Sequence, residues 1–349
     1  MRSATTRSIG GFGIGGSPRH RSVLLAACGS LALALTAVTS APAQSPVFDD
    51  EELTRGFLRG LVGVATADGV LTGDRAVSES FDRIGTGVAI GRRAGETPCA
   101  PGARGLYDAV VPAVVAVSSI HTCERCSDWH LGGTGSGWIL SPDGLVVTNH
   151  HVIERDKGHR LGVMTADGQV WAVTEVVAAD PVGDAVVVRV DTRGKRLPFV
   201  SLGAAPSCGA PVSVVSHPVG RYWCLTEGVV SRFHRQAVPK GEPAVEGALP
   251  AGRPGAGAAT KPVWMSITAD YTVGSSGGPV FNAAGEVVGM VARTVTSSNP
   301  KRDEANPRRR PLAGETIVFK DCVSTETLRR LIAGIGEGAG DGSLATADR

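Results

Sequence analysis

The chain has 349 residues, enough for one large domain or two ordinary ones. Its 47 glycines and 21 prolines, with 5% aromatic residues, favour many short strands joined by turns around a Val, Leu, Ile and Ala core. Heptads, internal repeats and long helical periodicity are absent from the sequence, which excludes coiled coils and solenoids. The formal charge of +2 is small.

The N-terminus reads as a targeting segment. Arg2, Arg7, Arg19 and Arg21 precede the uncharged apolar stretch from Ser22 to Val38, and Ala41-Pro42-Ala43 forms an A-x-A site before Gln44. This pattern predicts a cleaved export signal over residues 1–43, hence a secreted or periplasmic protein. An N-terminal membrane anchor is the alternative; the apolar stretch contains Gly29 and Ser30 and is at the lower limit for spanning. A lipoprotein reading of Leu25-Ala26-Ala27-Cys28 ranks third, because little of the apolar stretch precedes it. All four of these arginines belong to the signal, which has no acids. Its removal leaves a slightly acidic chain without a nucleic-acid footprint.

Residues 44–105 read as an N-terminal extension, partly helical or disordered. Leu53, Phe57, Leu58, Leu61 and Val62 share one face at helical spacing, which predicts a helix docked on the following domain. Gly85-Thr86-Gly87 with Gly91 lacks the spacing of a dinucleotide loop. Val110 to Val117 reads as the first buried strand. Residues 235–262 read as a flexible insertion rich in Pro, Gly and Ala. Residues 297–313 carry Lys301, Arg302, Arg308, Arg309 and Arg310 on a second exposed loop, either solvated surface or a substrate contact. Ser324 is the expected N-cap of a short closing helix through Leu331, and residues 336–349 read as a disordered tail.

Six cysteines follow residue 43, an even number that an oxidising compartment allows to pair. Cys123-Glu124-Arg125-Cys126 has three readings: a local disulfide, half of a zinc site with His121 and His130, or a redox pair. A redox pair normally sits in a βαβ context, which is not evident. The local disulfide is preferred, and no metal or cofactor is assigned. Cys208 and Cys224 flank one turn and form a second expected pair.

The chemistry is concentrated in Gly274-Ser275-Ser276-Gly277-Gly278-Pro279-Val280-Phe281-Asn282. Three glycines in five residues forfeit packing and cost conformational entropy. Such a run suits a backbone that turns sharply, exposes one hydroxyl and aims its own N–H groups at a ligand, as a serine nucleophile beside an oxyanion hole requires. Upstream, Thr148-Asn149-His150-His151-Val152 offers a base, and Asp180-Pro181-Val182-Gly183-Asp184 leads into the apolar run Ala185 to Val190 with an acid. The chain order His, Asp, Ser is that of chymotrypsin-like enzymes, not of subtilisins or α/β-hydrolases.

Residues 133–152, Gly-Thr-Gly-Ser-Gly-Trp-Ile-Leu-Ser-Pro-Asp-Gly-Leu-Val-Val-Thr-Asn-His-His-Val, resemble the first-barrel signature of trypsin-like serine proteases, closest to the bacterial HtrA/Deg branch. Asp184-Ala185-Val186-Val187-Val188, Ser216-His217-Pro218-Val219-Gly220, Glu227-Gly228-Val229-Val230-Ser231 and Gly285-Glu286-Val287-Val288-Gly289-Met290 extend the likeness. The resemblance implies an all-β domain over 106–335: two six-stranded antiparallel β-barrels with a short C-terminal helix. It implies a serine endopeptidase acting on polypeptides through an acyl-enzyme, without cofactor, metal, nucleic acid or stable membrane insertion. The Thr-x-x-His pattern selects His151 over His150 as base, and Asp184 precedes the apolar strand as the family acid does. Ser276 stands at the nucleophile position, with the N–H groups of Gly274 and Ser276 as the oxyanion hole. Asp270, six residues before Ser276, falls where trypsin-like enzymes place the base of the S1 pocket and select Arg or Lys. The HtrA branch builds that pocket differently and usually prefers small aliphatic residues, and Tyr271 is placed to cap or narrow it. A following PDZ module is not expected. Two other readings stand beside the protease: a catalytically weak trypsin-like binding or chaperone-like module, and an esterase using the same triad.

Overall fold

The computed structural model describes residues 46–65, 69–91, 93–102, 105–123, 125–126, 128–154, 159–235, 261–298 and 316–333. The predicted signal over 1–43, most of the 235–262 insertion, nearly all of the basic loop and the 336–349 segment lie outside them.

The extension contributes two helices. In α1 (Asp50–Ala65), Asp49 caps the N-terminus: its Oδ1 accepts the Glu52 N–H at 2.9 Å. The predicted apolar face is the one that docks, with Phe57 and Leu61 fully buried. Leu61 packs over Gly162, where a Cβ would lie 2.2 Å from its Cδ2 and 2.9 Å from the Trp171 carbonyl, so glycine suits the close approach. In α2 (Gly73–Asp82), Thr72 is the N-cap, and Glu79 accepts the Val176 N–H at 2.9 Å. A short α3 (Gly105–Val110) and a 3-10 turn over Val111–Ala113 then replace the first half of the strand expected at 110–117. Pro112 has no N–H to give a ladder, so pairing starts only at Val114.

The first barrel comprises β1 (Val114–Thr122), β3 (Gly135–Ser141), β4 (Leu145–Thr148), β5 (Arg160–Met164), β6 (Val170–Asp180) and β7 (Ala185–Val190), with β2 (Trp129–Leu131) added to β1 as a hairpin. All neighbours are antiparallel in the order β2-β1-β3-β4-β7-β6-β5, and β5 pairs back onto β1 to close six strands. Alternate residues point inward, so Val115, Val117, Ile139, Val146, Val163, Val173, Val186 and Val188 share one core. These branched, compact side chains fill the small barrel, with Trp171 and Phe199 buried in the same cluster.

The second barrel is β8 (Pro211–Ser216), β9 (Cys224–Arg235), β10 (Val263–Ile267), β11 (Pro279–Phe281), β12 (Val287–Ser298) and β13 (Thr316–Ser324), closed in the order β10-β13-β12-β11-β8-β9. Helix α5 (Thr325–Ala333) follows, with Ser324 Oγ accepting the Thr327 N–H at 3.4 Å and Leu328 and Leu331 buried. Two closed six-stranded antiparallel barrels and a short C-terminal helix make the chymotrypsin-like fold.

The expected disulfides are not formed: all six described cysteines are free. Cys208 and Cys224 sit at opposite ends of the β8–β9 hairpin. Gly209 donates to the Val230 carbonyl, whereas Cys224 pairs with Ser216 beside the turn. Val230 lies six steps along β9 from Cys224, roughly 20 Å, far beyond the roughly 7 Å Cα separation a disulfide spans. Cys123 and Cys126 are close, and the Cys126 sulfur also contacts His130.

Candidate active site

Strand β4 ends at Thr148, and the chain turns into the single-turn helix α4 (His150–Glu154). The turn Pro181–Asp184 between β6 and β7 faces it, and Asn149 Nδ2 donates to the Asp184 carbonyl at 2.8 Å. Asp184 has φ 53, the left-handed region that a short polar side chain tolerates. Its carboxylate then grips His151 twice: Oδ1 accepts the backbone N–H at 3.1 Å and Oδ2 meets Nδ1 at 2.8 Å. An acceptor carboxylate places the imidazole proton on Nδ1 and leaves Nε2 with its lone pair. The neighbouring candidates are occupied otherwise. His150 is buried, with Nδ1 3.6 Å from Glu154 Oε2. Asp180 accepts the Gly183 N–H at 2.8 Å and shapes the turn.

The glycine-rich run forms a compact turn entering β11. Gly274 (φ 94) and Gly277 (φ 85) both occupy the left-handed region. A Cβ on Gly274 would lie 2.4 Å from the His217 carbonyl, and one on Gly277 would lie 2.1 Å from the Ser136 carbonyl. The turn is held by Ser275 N–H to Thr272 O, Gly278 N–H to Ser275 O and Gly277 N–H to Val291 O, each 2.9 Å. The N–H groups of Gly274 and Ser276 have no acceptor among the described residues. Ser275 points inward and accepts from the Ser216 hydroxyl at 3.0 Å. Ser276 is half-buried, and its hydroxyl donates to the Ala292 carbonyl at 3.4 Å.

Ser136 of β3 joins this turn to the first barrel. Its N–H donates to the Ser276 carbonyl at 2.7 Å and its hydroxyl to the Gly274 carbonyl at 2.8 Å. Having spent its one proton, the hydroxyl accepts from His217, from the backbone N–H at 3.1 Å and from ring Nδ1 at 2.9 Å. Burial pushes the His217 pKa down to about 3, so the ring is neutral, with Tyr222 and Trp223 against it edge-on. Thr148 donates to the Ser136 carbonyl at 2.7 Å, and Gly135 abuts both Val152 and the Ser276 carbonyl. These contacts seat the Gly274–Gly277 turn against Gly135, Ser136 and Thr148 of the first barrel, and Gly135 also abuts Val152 of α4, the helix that carries His151. Ser136 and His217 lie inside motifs quoted for the resemblance, but their polar role has no signal in residue type alone.

Asp270 lies elsewhere than an enclosed pocket base. Its side chain is 86% exposed and ion-paired with Lys320 of β13. Tyr271 turns inward instead, its hydroxyl 3.0 Å from the carbonyls of both Arg293 and Asp321. The buried carboxylate in this region is Asp321. It accepts from Ser266 Oγ at 2.7 Å and lies 3.5 Å from Arg293 Nε and His234 Nε2. Nothing in the sequence distinguishes Asp321 from an ordinary strand residue.

Residues 135–290 match the family model of the trypsin-like peptidase domain. The chain is 32% identical over 165 residues to "Serine protease HTRA2, mitochondrial" of Bos taurus, covering 47% of this chain and 32% of that protein. It is 28% identical over 194 residues to "Serine protease HTRA1" of Xenopus laevis (55% and 38%). It is 31% identical over 166 residues to "Probable periplasmic serine endoprotease DegP-like" of Pseudomonas fluorescens (47% and 30%). The chain thus spans about a third of the length of these curated relatives.

Proposed function

We propose that this chain, whose residues 135–290 match the trypsin-like peptidase domain, is a serine endopeptidase that cleaves polypeptides. Ser276 is the nucleophile, His151 the general base, Asp184 its orienting acid, and the N–H groups of Gly274 and Ser276 the oxyanion hole. The observation that carries this reading is the two-point grip of Asp184 on His151, which leaves Nε2 as the proton acceptor. Ser276 Oγ leaves its weak bond to the Ala292 carbonyl by rotation about one side-chain torsion and attacks the peptide carbonyl carbon. The proton passes to His151 Nε2, and the negative charge on the former carbonyl oxygen falls to the two unspent N–H groups. His151 then protonates the leaving amine, and water, activated by the same imidazole, hydrolyses the acyl-enzyme.

The exposed, paired Asp270 supports uncharged side chains at P1 rather than Arg or Lys. Export to a secreted or periplasmic location is part of the proposal. It rests on the pattern of residues 1–43 and on the periplasmic name of the DegP-like relative. Among the described residues no helix is long and apolar enough to cross a membrane.

A serine-directed phosphonate that labels Ser276 separates an active site from a binding module. Digestion of a peptide library separates endopeptidase from esterase and reads the P1 preference directly. Failure of both labelling and digestion by the folded chain would refute the proposal.

A further inference from the structure

The hairpin β1–β2 carries a cluster that the protease chemistry does not use. His121 and His130 are cross-strand partners, and the loop between the strands supplies Cys123 and Cys126. The two sulfurs lie 2.9 Å apart, and Cys126 Sγ lies 2.9 Å from His130 Nε2. All three donor atoms fall within 4.8 Å of one another, and both cysteines are free and half-buried. We propose that Cys123, Cys126 and His130 form a binding site for a thiophilic d10 cation, zinc(II), on the β1–β2 hairpin.

The donor set determines the metal class. Two thiolates and an imidazole match zinc in charge and softness, and do not suit magnesium or calcium, which take oxygen ligands. The Cys-x-x-Cys turn delivers two sulfurs from one loop, and the strand register brings the imidazole to them. Zinc–sulfur bonds near 2.3 Å and a zinc–nitrogen bond near 2.0 Å, at tetrahedral angles, require donors roughly 3.6 to 3.8 Å apart. Each of the two 2.9 Å contacts therefore needs to open by less than about 1 Å. Binding replaces the two thiol protons, which pass to solvent, and leaves the fourth position to water.

The location gives the ion a structural task. Zinc would fasten β2 to the end of β1 a few residues before Ser136, the residue that holds the Gly274–Ser276 turn. Three residues, Gly132 to Thr134, separate β2 from β3, and Gly132 and Gly133 are already tied to β1 through Ser119 and Ser118. The inference does not depend on the protease reading, because its test reads metal binding and not turnover.

The experiment uses the full chain, purified reduced and stripped with a chelator, then titrated with cobalt(II) and back-titrated with zinc(II). The expected result is one cobalt per chain, with thiolate-to-cobalt charge-transfer absorption that zinc abolishes. Cys123→Ser and Cys126→Ser should each remove that absorption, and His130→Ala should weaken binding at least tenfold. Cys208→Ser, exposed and outside the cluster, should leave binding intact. Should the cysteine variants fail to fold, the wild-type chain suffices: zinc should protect Cys123 and Cys126, but not Cys208, from alkylation mapped by mass spectrometry. Absence of charge-transfer absorption and of protection would overturn the proposal. So would isolation of a native chain in which Cys123 and Cys126 are joined as a disulfide.

Discussion

Replacing Ser136 by Ala tests whether the Gly274–Ser276 turn, the proposed oxyanion hole, is held from the first barrel. The change deletes one hydroxyl from a fully buried site that makes three hydrogen bonds of 2.8 to 3.1 Å. The His217 backbone and ring N–H groups and the Gly274 carbonyl all lose a partner. A buried polar group stranded in this way costs roughly 1–3 kcal/mol, and partial rearrangement recovers some of it. The expected destabilisation is therefore about 2–5 kcal/mol, a large part of the stability of an ordinary domain. Urea unfolding followed by the fluorescence of the buried Trp223 and Trp264 measures it. The folded fraction should also turn over more slowly, because the peptide group at Gly274 is no longer fixed. Loss of one oxyanion donor corresponds to about 3 kcal/mol, so kcat should drop about a hundredfold while KM changes little. A variant within 0.5 kcal/mol of wild type, with unchanged kcat, would refute the argument that Ser136 orients the turn.

Ser276→Ala should abolish hydrolysis and leave the unfolding midpoint in place, whereas Ser275→Ala should keep most activity and lose about 1 kcal/mol with the Ser216 contact; the reverse outcome would mean that the turn is misregistered. His151→Ala should suppress turnover far more than His150→Ala. Asp184→Asn, which keeps a side chain tolerant of φ 53, should lower kcat about 10⁴-fold by fixing the wrong imidazole tautomer. Asp270→Ala should leave the cleavage ratio among matched Arg, Val and Ala peptides at P1 unchanged, since its carboxylate already faces solvent and Lys320. Because the His217 pKa is depressed to about 3 from an ordinary 6.5, the unfolded chain binds the extra proton between those values. Its contribution to stability is full above pH 6.5 and declines by up to about 1.4 kcal/mol per pH unit as the pH falls toward 3. Unfolding of wild type and His217→Gln at pH 7 and pH 5 should therefore differ in slope; parallel losses would remove His217 from the acid response.

The barrels were legible because alternation and turn chemistry are local. Val-rich runs such as Ala185 to Val190 state their strand directly, and the apolar spacing of Phe57 and Leu61 states a docked helix. The start of β1 was misplaced because an apolar run such as Val110-Val111-Pro112-Ala113 has no periodicity to separate strand from helix, and Pro112 decided it. The Cys208–Cys224 pairing failed for a different reason. Cys208 precedes β8 at the open end of the hairpin, whereas Cys224 begins β9 beside the turn, so the length of the hairpin separates them. Asp270 illustrates the limit of a positional offset: the backbone count was available, but the outward direction of the side chain depends on Lys320, fifty residues later. Asp321, Ser136 and His217 take their importance from partners on other strands, which composition and periodicity do not encode.

In the proposed mechanism the base His151 and the acid Asp184 belong to the first barrel, and the turn that carries the nucleophile Ser276 belongs to the second. An oxyanion hole works because its donors are fixed before charge develops, so they need not reorganise during reaction. Here the fixing bonds cross between barrels: Ser136 N–H to Ser276 O, Ser136 Oγ to Gly274 O, and the close approach of Gly277 to Ser136 and Thr148. Neither barrel alone would hold the turn in register with His151. The extension adds to the same joint. Asp50 accepts the Tyr222 N–H at 3.1 Å, and Thr54 bonds the Tyr222 hydroxyl at 3.2 Å, so α1 steadies the loop that begins at His217. In the proposed mechanism the interface between the barrels therefore preorganises the site as well as forming core, and α1 supports the turn through the His217–Trp223 loop, which bonds Ser136.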